Sequence, residues 1–166
     1  MPKILILFAG PNTALAHAVA DGARGVRFSE VEVRRVGVGE LQGDGGIPDV
    51  YPTLAGVDEL APYDAILLGV SARGELLPEL GRLVAQAATA LPRESWQNKV
   101  GSAFVTAPAE GDESADLWPV LAMLGDLGLL VVSPAGSDAD AAKALGARVA
   151  QVVGWVTHAR SHHHAH

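Results

Sequence analysis

The sequence contains no cysteine, so disulfide bonds, thiol catalysis and cysteine-ligated metal sites are excluded. Aromatic residues are also scarce, at 5% of 166 residues, whereas hydrophobic residues reach 49%. The interior must therefore be filled mainly by Ala, Val and Leu, a composition that suits helices packed on a parallel sheet. No apolar run approaches the roughly 20 residues that a membrane-spanning helix requires.

Basic residues are few: 12 Lys and Arg face 19 Asp and Glu, which gives a formal net charge of −7. This balance argues against non-specific binding to nucleic acid or to an anionic membrane surface. Lys3 and the apolar residues after it resemble a secretory signal, but Pro11 and Asn12 interrupt the run. We therefore predict a cytoplasmic protein without a cleaved signal, acting on neither nucleic acid nor membrane.

Familiar catalytic motifs are absent as well. The sequence has no serine in a nucleophile elbow with a paired His and Asp, no Gly-x-x-x-x-Gly-Lys and no Gly-x-Gly-x-x-Gly. Hydrolase, kinase and Rossmann dehydrogenase functions therefore have no positive support, and no catalytic residue is assigned.

The first twenty residues organise the chain. The apolar run Ile4–Phe8 predicts a buried strand, residues 9–13 a tight turn, and the pattern from Ala14 an amphipathic helix. In doubly wound folds the loop after the first strand lies where ligands bind, beside a helix amino terminus that favours anions. Gly10 to Thr13 is thus the first candidate for a phosphate site, although Asn12 and Thr13 are also good helix caps that need no ligand.

The strand, loop and helix pattern recurs along the chain. Further strands are predicted at residues 31–36, 63–70, 100–106 and 129–132, each followed by a loop, and a capping signal at Ser137–Asp140 precedes the last helix. Right-handed crossovers then predict an α/β, single-domain, flavodoxin-like fold over residues 1–158. Its five-stranded parallel sheet has the order 2-1-3-4-5, with helices on both faces. Residues 159–166 are predicted to be a disordered, His-rich tail.

Four segments carry a family resemblance: KILILF with AHAVADG, ELAPYDAILLG, KVGSAF with WPVLAMLG, and SDADAAKALGARVAQVV. Through them the chain resembles the flavodoxin-like NAD(P)H:quinone oxidoreductases of the tryptophan-repressor-binding-protein type. The resemblance implies FMN as cofactor, NAD(P)H as electron donor, a quinone or similar small acceptor, and a homo-oligomer, either dimer or tetramer.

The family holds FMN with three loops, after the first, third and fourth strands. The resemblance therefore implies a cofactor site formed by Gly10, Asn12, Thr13, Ser71, Ala72, Arg73, Gly74, Thr106, Ala107, Pro108 and Gly111. Each of these loops departs from the family pattern, as do positions on the neighbouring helices. Pro11 lacks an N–H donor, Leu91 replaces an aromatic residue, and Met123-Leu124 replaces a pair of histidines. These departures keep a second hypothesis open, a binding or assembly module of the same fold that has lost its flavin site.

Other polar and aromatic residues have simple structural interpretations. Arg73 can hold an anion or pair with Glu75 or Glu79, and His17 is interpreted as structural. Trp118 is interpreted as a packing or subunit contact. Acidic residues between the fourth strand and the next helix are interpreted as a solvated helix start, and no metal site is predicted within the fold. These acidic residues are Glu110, Asp112, Glu113 and Asp116. In the tail, four histidines are able to chelate Ni or Zn: His162, His163, His164 and His166.

Overall fold

The computed structural model describes residues 1–36, 53–54, 56–107 and 115–163, with only the backbone described at residue 163. The strands are β1 (Lys3–Phe8), β2 (Glu30–Arg35), β3 (Ala65–Val70), β4 (Val100–Val105) and β5 (Leu130–Val131). The helices are α1 (Ala14–Arg24), α2 (Pro78–Ala90), α3 (Trp118–Leu127) and α4 (Ala139–His163). Short 3-10 turns at Val57–Leu60 and Arg93–Ser95 precede β3 and β4.

All five strands pair in parallel, in the order β2-β1-β3-β4-β5. The α/β fold and the strand order predicted from the sequence are therefore confirmed. In this order β1 and β3 are neighbours although they are not consecutive, so the chain reverses its direction of winding between them. Ligands of doubly wound sheets bind at such a reversal, at the carboxyl ends of the strands.

Two apolar layers cover the sheet, and every residue of β3 and β4 is buried. Alternate side chains of β1 face opposite ways: Leu5 and Leu7 join the layer of α2 and α3, whereas Ile4, Ile6 and Phe8 join that of α1 and α4. Burial on both faces explains why these strands read as continuous apolar runs in the sequence.

Helices α1 and α4 touch backbone to backbone through two glycines. A Cβ atom on Gly22 would lie 1.9 Å from the carbonyl oxygen of Lys143, and one on Gly146 would lie 2.0 Å from that of Val19. Real Cβ atoms do not approach other atoms so closely, so only glycine allows this helix separation at either position.

The fifth strand is shorter than predicted. It contains only Leu130 and Val131, both exposed, at the free edge of the sheet. Val132 still donates a hydrogen bond of 2.9 Å to Gly101, but Pro134 follows closely and cannot donate to a ladder.

The last helix is longer than predicted. Its start is as expected, because the Asp138 carboxylate accepts a hydrogen bond of 2.7 Å from the Ala141 N–H. Its end lies at His163, so residues 159–163 of the predicted tail are helical, and residues 164–166 lie outside the described residues. Within the described part of the chain, no helix has the length and apolar content needed to cross a membrane.

Candidate functional site

The loop after β1 begins at a glycine in a left-handed conformation. Gly10 has φ +91°, and a Cβ there would lie 3.1 Å from Cδ1 of Leu77, so the segment leading into α2 packs against this loop. Arg35, at the end of β2, donates a hydrogen bond of 3.2 Å from Nη2 to the Gly10 carbonyl oxygen. Its guanidinium also lies 5.9 Å from the centre of the Phe8 ring.

The amino terminus of α1 carries no side-chain cap. Thr13 occupies the N-cap position, as predicted, but its side chain forms no capping hydrogen bond, and the first turn contains no acidic residue. The unpaired N–H groups of a first helical turn give this end a partial positive charge. An anion at this terminus would therefore meet backbone donors that no side chain of the cap satisfies.

The loop after β3 is closed by its own hydrogen bonds. The Ser71 hydroxyl oxygen accepts from the backbone N–H of Arg73 and of Glu75, at 3.3 and 3.2 Å. Ser71 and Gly74 donate from their N–H groups to the carbonyl oxygens of Glu75 and Ser71, both at 2.8 Å. The loop is therefore rigid, and several of its backbone donors are already used.

Gly74 brings this loop against the start of α3. Its φ is +83°, and a Cβ there would lie 2.2 Å from the carbonyl oxygen of Asp116. Arg73 is exposed beside it, and among the described residues it pairs with neither Glu75 nor Glu79, contrary to one of the two predicted roles. The exposed guanidinium can thus turn toward a ligand at this edge.

The loop after β4 is joined to the end of β3. Thr106 is buried and donates to the Val70 carbonyl oxygen twice, from its N–H at 2.9 Å and from its hydroxyl at 3.1 Å. Ala107 is half-buried beyond it. Residues 108–114, which include the predicted Pro108 and Gly111 and the acidic residues Glu110, Asp112 and Glu113, lie outside the described residues.

The three loops meet at one edge of the sheet. A Cβ on Gly69 would lie 2.7 Å from Cγ2 of Thr106 and 2.9 Å from Cβ of Phe8, which shows how closely the ends of β1, β3 and β4 converge. The structure therefore brings the described members of the predicted site together. These are Gly10, Asn12, Thr13, Ser71, Ala72, Arg73, Gly74, Thr106 and Ala107.

A cleft next to this edge was not predicted. It has a volume of about 230 Å³ and is lined by Val105, Leu117, Leu121 and residues 133–137, among others. Arg35 and Leu77 were missed too. The available signal was the position of Arg35 at the carboxyl end of β2, the edge strand that neighbours β1.

Of the positions that depart from the family pattern, Pro11 is exposed, whereas Leu91, Met123 and Leu124 belong to the apolar layer of α2 and α3. Leu124 is 2% exposed, and Leu91 and Met123 are half-buried and pack on the same apolar layer. Asp116 behaves as a helix start, as predicted, because its carboxylate accepts a 3.0 Å hydrogen bond from the Trp118 N–H. Within the described ranges, no group of three or more His, Asp or Glu residues is placed to hold a metal.

Ionisable groups with shifted pKa values lie away from this edge. Burial and a hydrogen bond to Glu32 raise the pKa of Tyr63 to about 12, and the same hydrogen bond, with help from Arg34, lowers the pKa of Glu32. Burial lowers the pKa of Lys99, whose ammonium donates to the carbonyl oxygens of Ala61 and Tyr63. Tyr63 and Lys99 precede β3 and β4, so they stabilise the opposite edge of the sheet.

The chain is similar in sequence to known proteins and similar in fold to solved structures. The chain is 33% identical over 143 residues to an NAD(P)H dehydrogenase (quinone) of Bradyrhizobium sp., covering 80% of this chain and 70% of that protein. No family model matches the sequence.

Solved structures share the fold. A flavodoxin of Megasphaera elsdenii superposes with a TM-score of 0.59 at 20% identity, covering 89% of this chain and 98% of the flavodoxin. A flavoenzyme NAD(P)H:(acceptor) oxidoreductase of Paracoccus denitrificans gives a TM-score of 0.56 at 16% identity, with 95% and 98% covered.

Proposed function

The chain belongs to the NAD(P)H dehydrogenase (quinone) family, and we propose that it is an FMN-dependent oxidoreductase that passes electrons from NAD(P)H to a quinone or similar acceptor. The observation that carries this proposal is the convergence of three loops, from β1, β3 and β4, on one edge of the sheet beside an uncapped helix terminus. FMN, when bound, would supply the hydride and electron transfer, and the protein would supply position and charge.

The residues present fit the phosphate end of FMN. The N–H groups of Thr13, Ala14 and Leu15 would hold the phosphate, because no side chain caps the helix and no acidic residue opposes the negative charge. Arg35 fixes the loop that leads to them by holding the Gly10 carbonyl. This arrangement compensates in part for Pro11, which offers no N–H.

Residues at the other two loops would receive the ring end of the cofactor. Arg73 is exposed at this edge and would favour an anionic group, either on the flavin or on a nicotinamide phosphate. Thr106 and Ala107 would form the floor, since Thr106 is tied to Val70 and cannot shift without breaking two hydrogen bonds. A rigid floor orients a planar ring at little entropic cost.

The second candidate is a binding or assembly module without flavin. The internal hydrogen bonds of residues 71–75 favour it, because they consume N–H groups that would otherwise serve a ligand. Leu91 and Leu124 favour it as well, since both pack into the apolar layer of α2 and α3. The two candidates differ in one measurable property, the retention of flavin.

Flavin retention, and its response to a negative charge at residue 13, separates the two candidates. The first experiment titrates the protein with FMN and with riboflavin, which lacks the phosphate, and records the visible flavin bands after desalting. We expect FMN to be retained and to support NAD(P)H-dependent quinone reduction. Thr13→Asp should then weaken FMN binding by about tenfold or more at low ionic strength, through repulsion of the phosphate.

Thr13→Asp has an opposite expected effect on stability. Asp is a better cap for the positive end of a helix, so the variant should raise the unfolding free energy by about 0.5 kcal/mol. Riboflavin binding should not change, and Thr13→Ser provides the neutral control. A protein that retains neither FMN nor riboflavin would overturn the enzyme proposal and support the binding module.

We also propose a homo-oligomer in the cytoplasm. Two large aromatic side chains support assembly, because Trp118 is 69% exposed and Trp155 is 61% exposed. Among the described residues the packing role considered for Trp118 is therefore not fulfilled, and we assign Trp118 to the subunit contact. Light scattering of the wild type and of Trp118→Ala and Trp155→Ala tests this, and a monomeric wild type would contradict it.

A further inference from the structure

Two histidines face each other on the exposed side of α4, near its carboxyl end. His158 and His162 are four residues apart, so they lie one above the other on the same helix face. Their Nε2 atoms are 3.1 Å apart, and their rings meet edge to face with centres 4.5 Å apart. Both side chains are exposed, so an ion in solution reaches them directly.

We propose that His158 and His162 form a two-histidine chelate for a divalent transition-metal cation of the Zn²⁺, Ni²⁺ or Cu²⁺ class. Two imidazole nitrogens bound to one Zn²⁺ at about 2.0–2.1 Å in tetrahedral geometry lie about 3.3 Å from each other. The observed separation of 3.1 Å is within a few tenths of an ångström of that value. The pair is therefore pre-arranged, and little side-chain entropy would be lost on binding.

Binding of the cation requires one of the two rings to change its tautomer. In the metal-free protein one Nε2–H donates to the other Nε2, whereas a bound cation requires both Nε2 atoms to be unprotonated. The ring whose Nε2–H donates therefore moves this proton to its Nδ1 through solvent when the cation enters, so that each imidazole stays neutral with one N–H and no net proton is released. Water fills the remaining coordination positions. Imidazole is a good ligand for Zn, Cu and Ni but a poor one for Mg²⁺ and Ca²⁺, which sets the expected selectivity.

Neighbouring polar groups leave the pair accessible. The hydroxyls of Thr157 and Ser161 donate to carbonyl oxygens of their own helix. Arg160 donates to the carbonyl oxygen of Asn98 at 3.1 Å, which directs its positive charge toward the β4 side. In the part of the chain that the structure describes, no third His, Asp or Glu joins the two histidines. The proposed site thus has two protein ligands.

Calorimetric titration with NiCl₂ alone, and separately with ZnCl₂, tests this assignment. The chain of 166 residues carries His163→Ala, His164→Ala and His166→Ala, so that binding by these histidines does not mask the site. We expect one cation per chain. His158→Gln and His162→Gln should each weaken binding by about a hundredfold, because either change turns a two-point contact into a single one.

His17→Gln is the matched control. His17 also lies on an exposed helix face one turn from a potential ligand, Asp21, at 3.4 Å, but it belongs to α1. Its replacement should leave the titration unchanged. A background variant that binds no Ni²⁺, or one whose binding survives His158→Gln undiminished, would overturn the proposal. Broadening of the His158 and His162 ring resonances by Ni²⁺ gives a second readout that loss of helix would not imitate.

Discussion

The guanidinium of Arg35, at the end of β2, donates a hydrogen bond of 3.2 Å to the carbonyl oxygen of Gly10, in the loop after β1. Arg35 is only 8% exposed, so it is a buried cation placed directly beside the loop that leads into α1. It fixes the left-handed Gly10 and adds positive potential at the terminus where a phosphate is proposed to bind.

Replacing Arg35 by Ala should therefore destabilise the protein. A hydrogen bond from a charged donor contributes about 1.5–3 kcal/mol, and we expect a loss of unfolding free energy in that range. Urea denaturation measures it. Arg27→Ala, at an exposed arginine in the turn between α1 and β2, is the control and should change stability by less than about 0.5 kcal/mol. Equal losses in the two variants would contradict the role given to Arg35.

Alanine at Gly74 should disrupt the contact between the loop after β3 and the start of α3. The residue would have to keep φ near +83° and place its Cβ 2.2 Å from the Asp116 oxygen. We expect a loss of more than about 2 kcal/mol in unfolding free energy. Gly81→Ala, inside α2 with open space around it, should instead gain about 0.5–1 kcal/mol. Thermal unfolding of both variants measures this contrast. Because each variant loses one glycine, a difference in stability between them reports the backbone geometry at the two positions.

Stability should fall in alkaline solution because of Tyr63. Its pKa in the folded protein is about 12, above the ordinary value of 10. The phenol is therefore ionised more readily in the unfolded chain, so its stabilising contribution is complete below pH 10 and is lost as the pH rises toward 12. We expect a loss of about 2 kcal/mol across that window. Tyr63→Phe should flatten the pH dependence, as followed by urea midpoints.

The phenolate absorbance of Tyr63 can be followed directly in a Tyr51→Phe background, since the chain has two tyrosines. An ordinary titration midpoint near pH 10 in the folded state would disprove the burial argument. Glu32, which accepts the hydrogen bond from Tyr63, makes stability depend on pH in the acid range instead. The pKa of Glu32 is lowered, so its stabilising contribution is present above pH 4.5 and is lost as the pH falls.

The two glycines between α1 and α4 should not tolerate alanine. Gly146→Ala places a methyl group 2.0 Å from the Val19 oxygen, which forces the helices apart and costs about 1–3 kcal/mol. Gly154→Ala lies in the same helix with nothing within 4 Å, so it should increase stability. Differential scanning calorimetry of the pair measures the contrast. If both variants gain stability, the close approach is not as described.

The sheet was predictable because its signals are local. The apolar runs of β3 and β4 have glycine or polar residues at their ends, and burial on both faces leaves no alternation to confuse them. The strand order was predicted as the commonest one for five parallel strands joined by right-handed crossovers. By contrast, β5 was overestimated, since a short edge strand has few neighbours to reinforce its pattern.

Details of the candidate site depend on contacts between distant residues, which no local pattern encodes. Arg35 meets Gly10 across 25 positions of sequence, and Gly74 meets Asp116 across a longer separation. The Ser71 hydroxyl can form hydrogen bonds either with the backbone of its own loop, as it does with Glu75, or with a ligand. The chemistry of the serine side chain allows both, so only the three-dimensional arrangement distinguishes them.

The contact between α1 and α4 also sets the order of events during synthesis. Residues 14–24 leave the ribosome well before the helix that covers them, which begins at residue 139. Until then, the apolar layer that α1 and α4 share lacks the side chains of α4, and its exposed surface can aggregate or bind chaperones. The contact of α1 and α4 at Gly22 and Gly146 can form only after α4 has been synthesised, so this layer of the core is completed late.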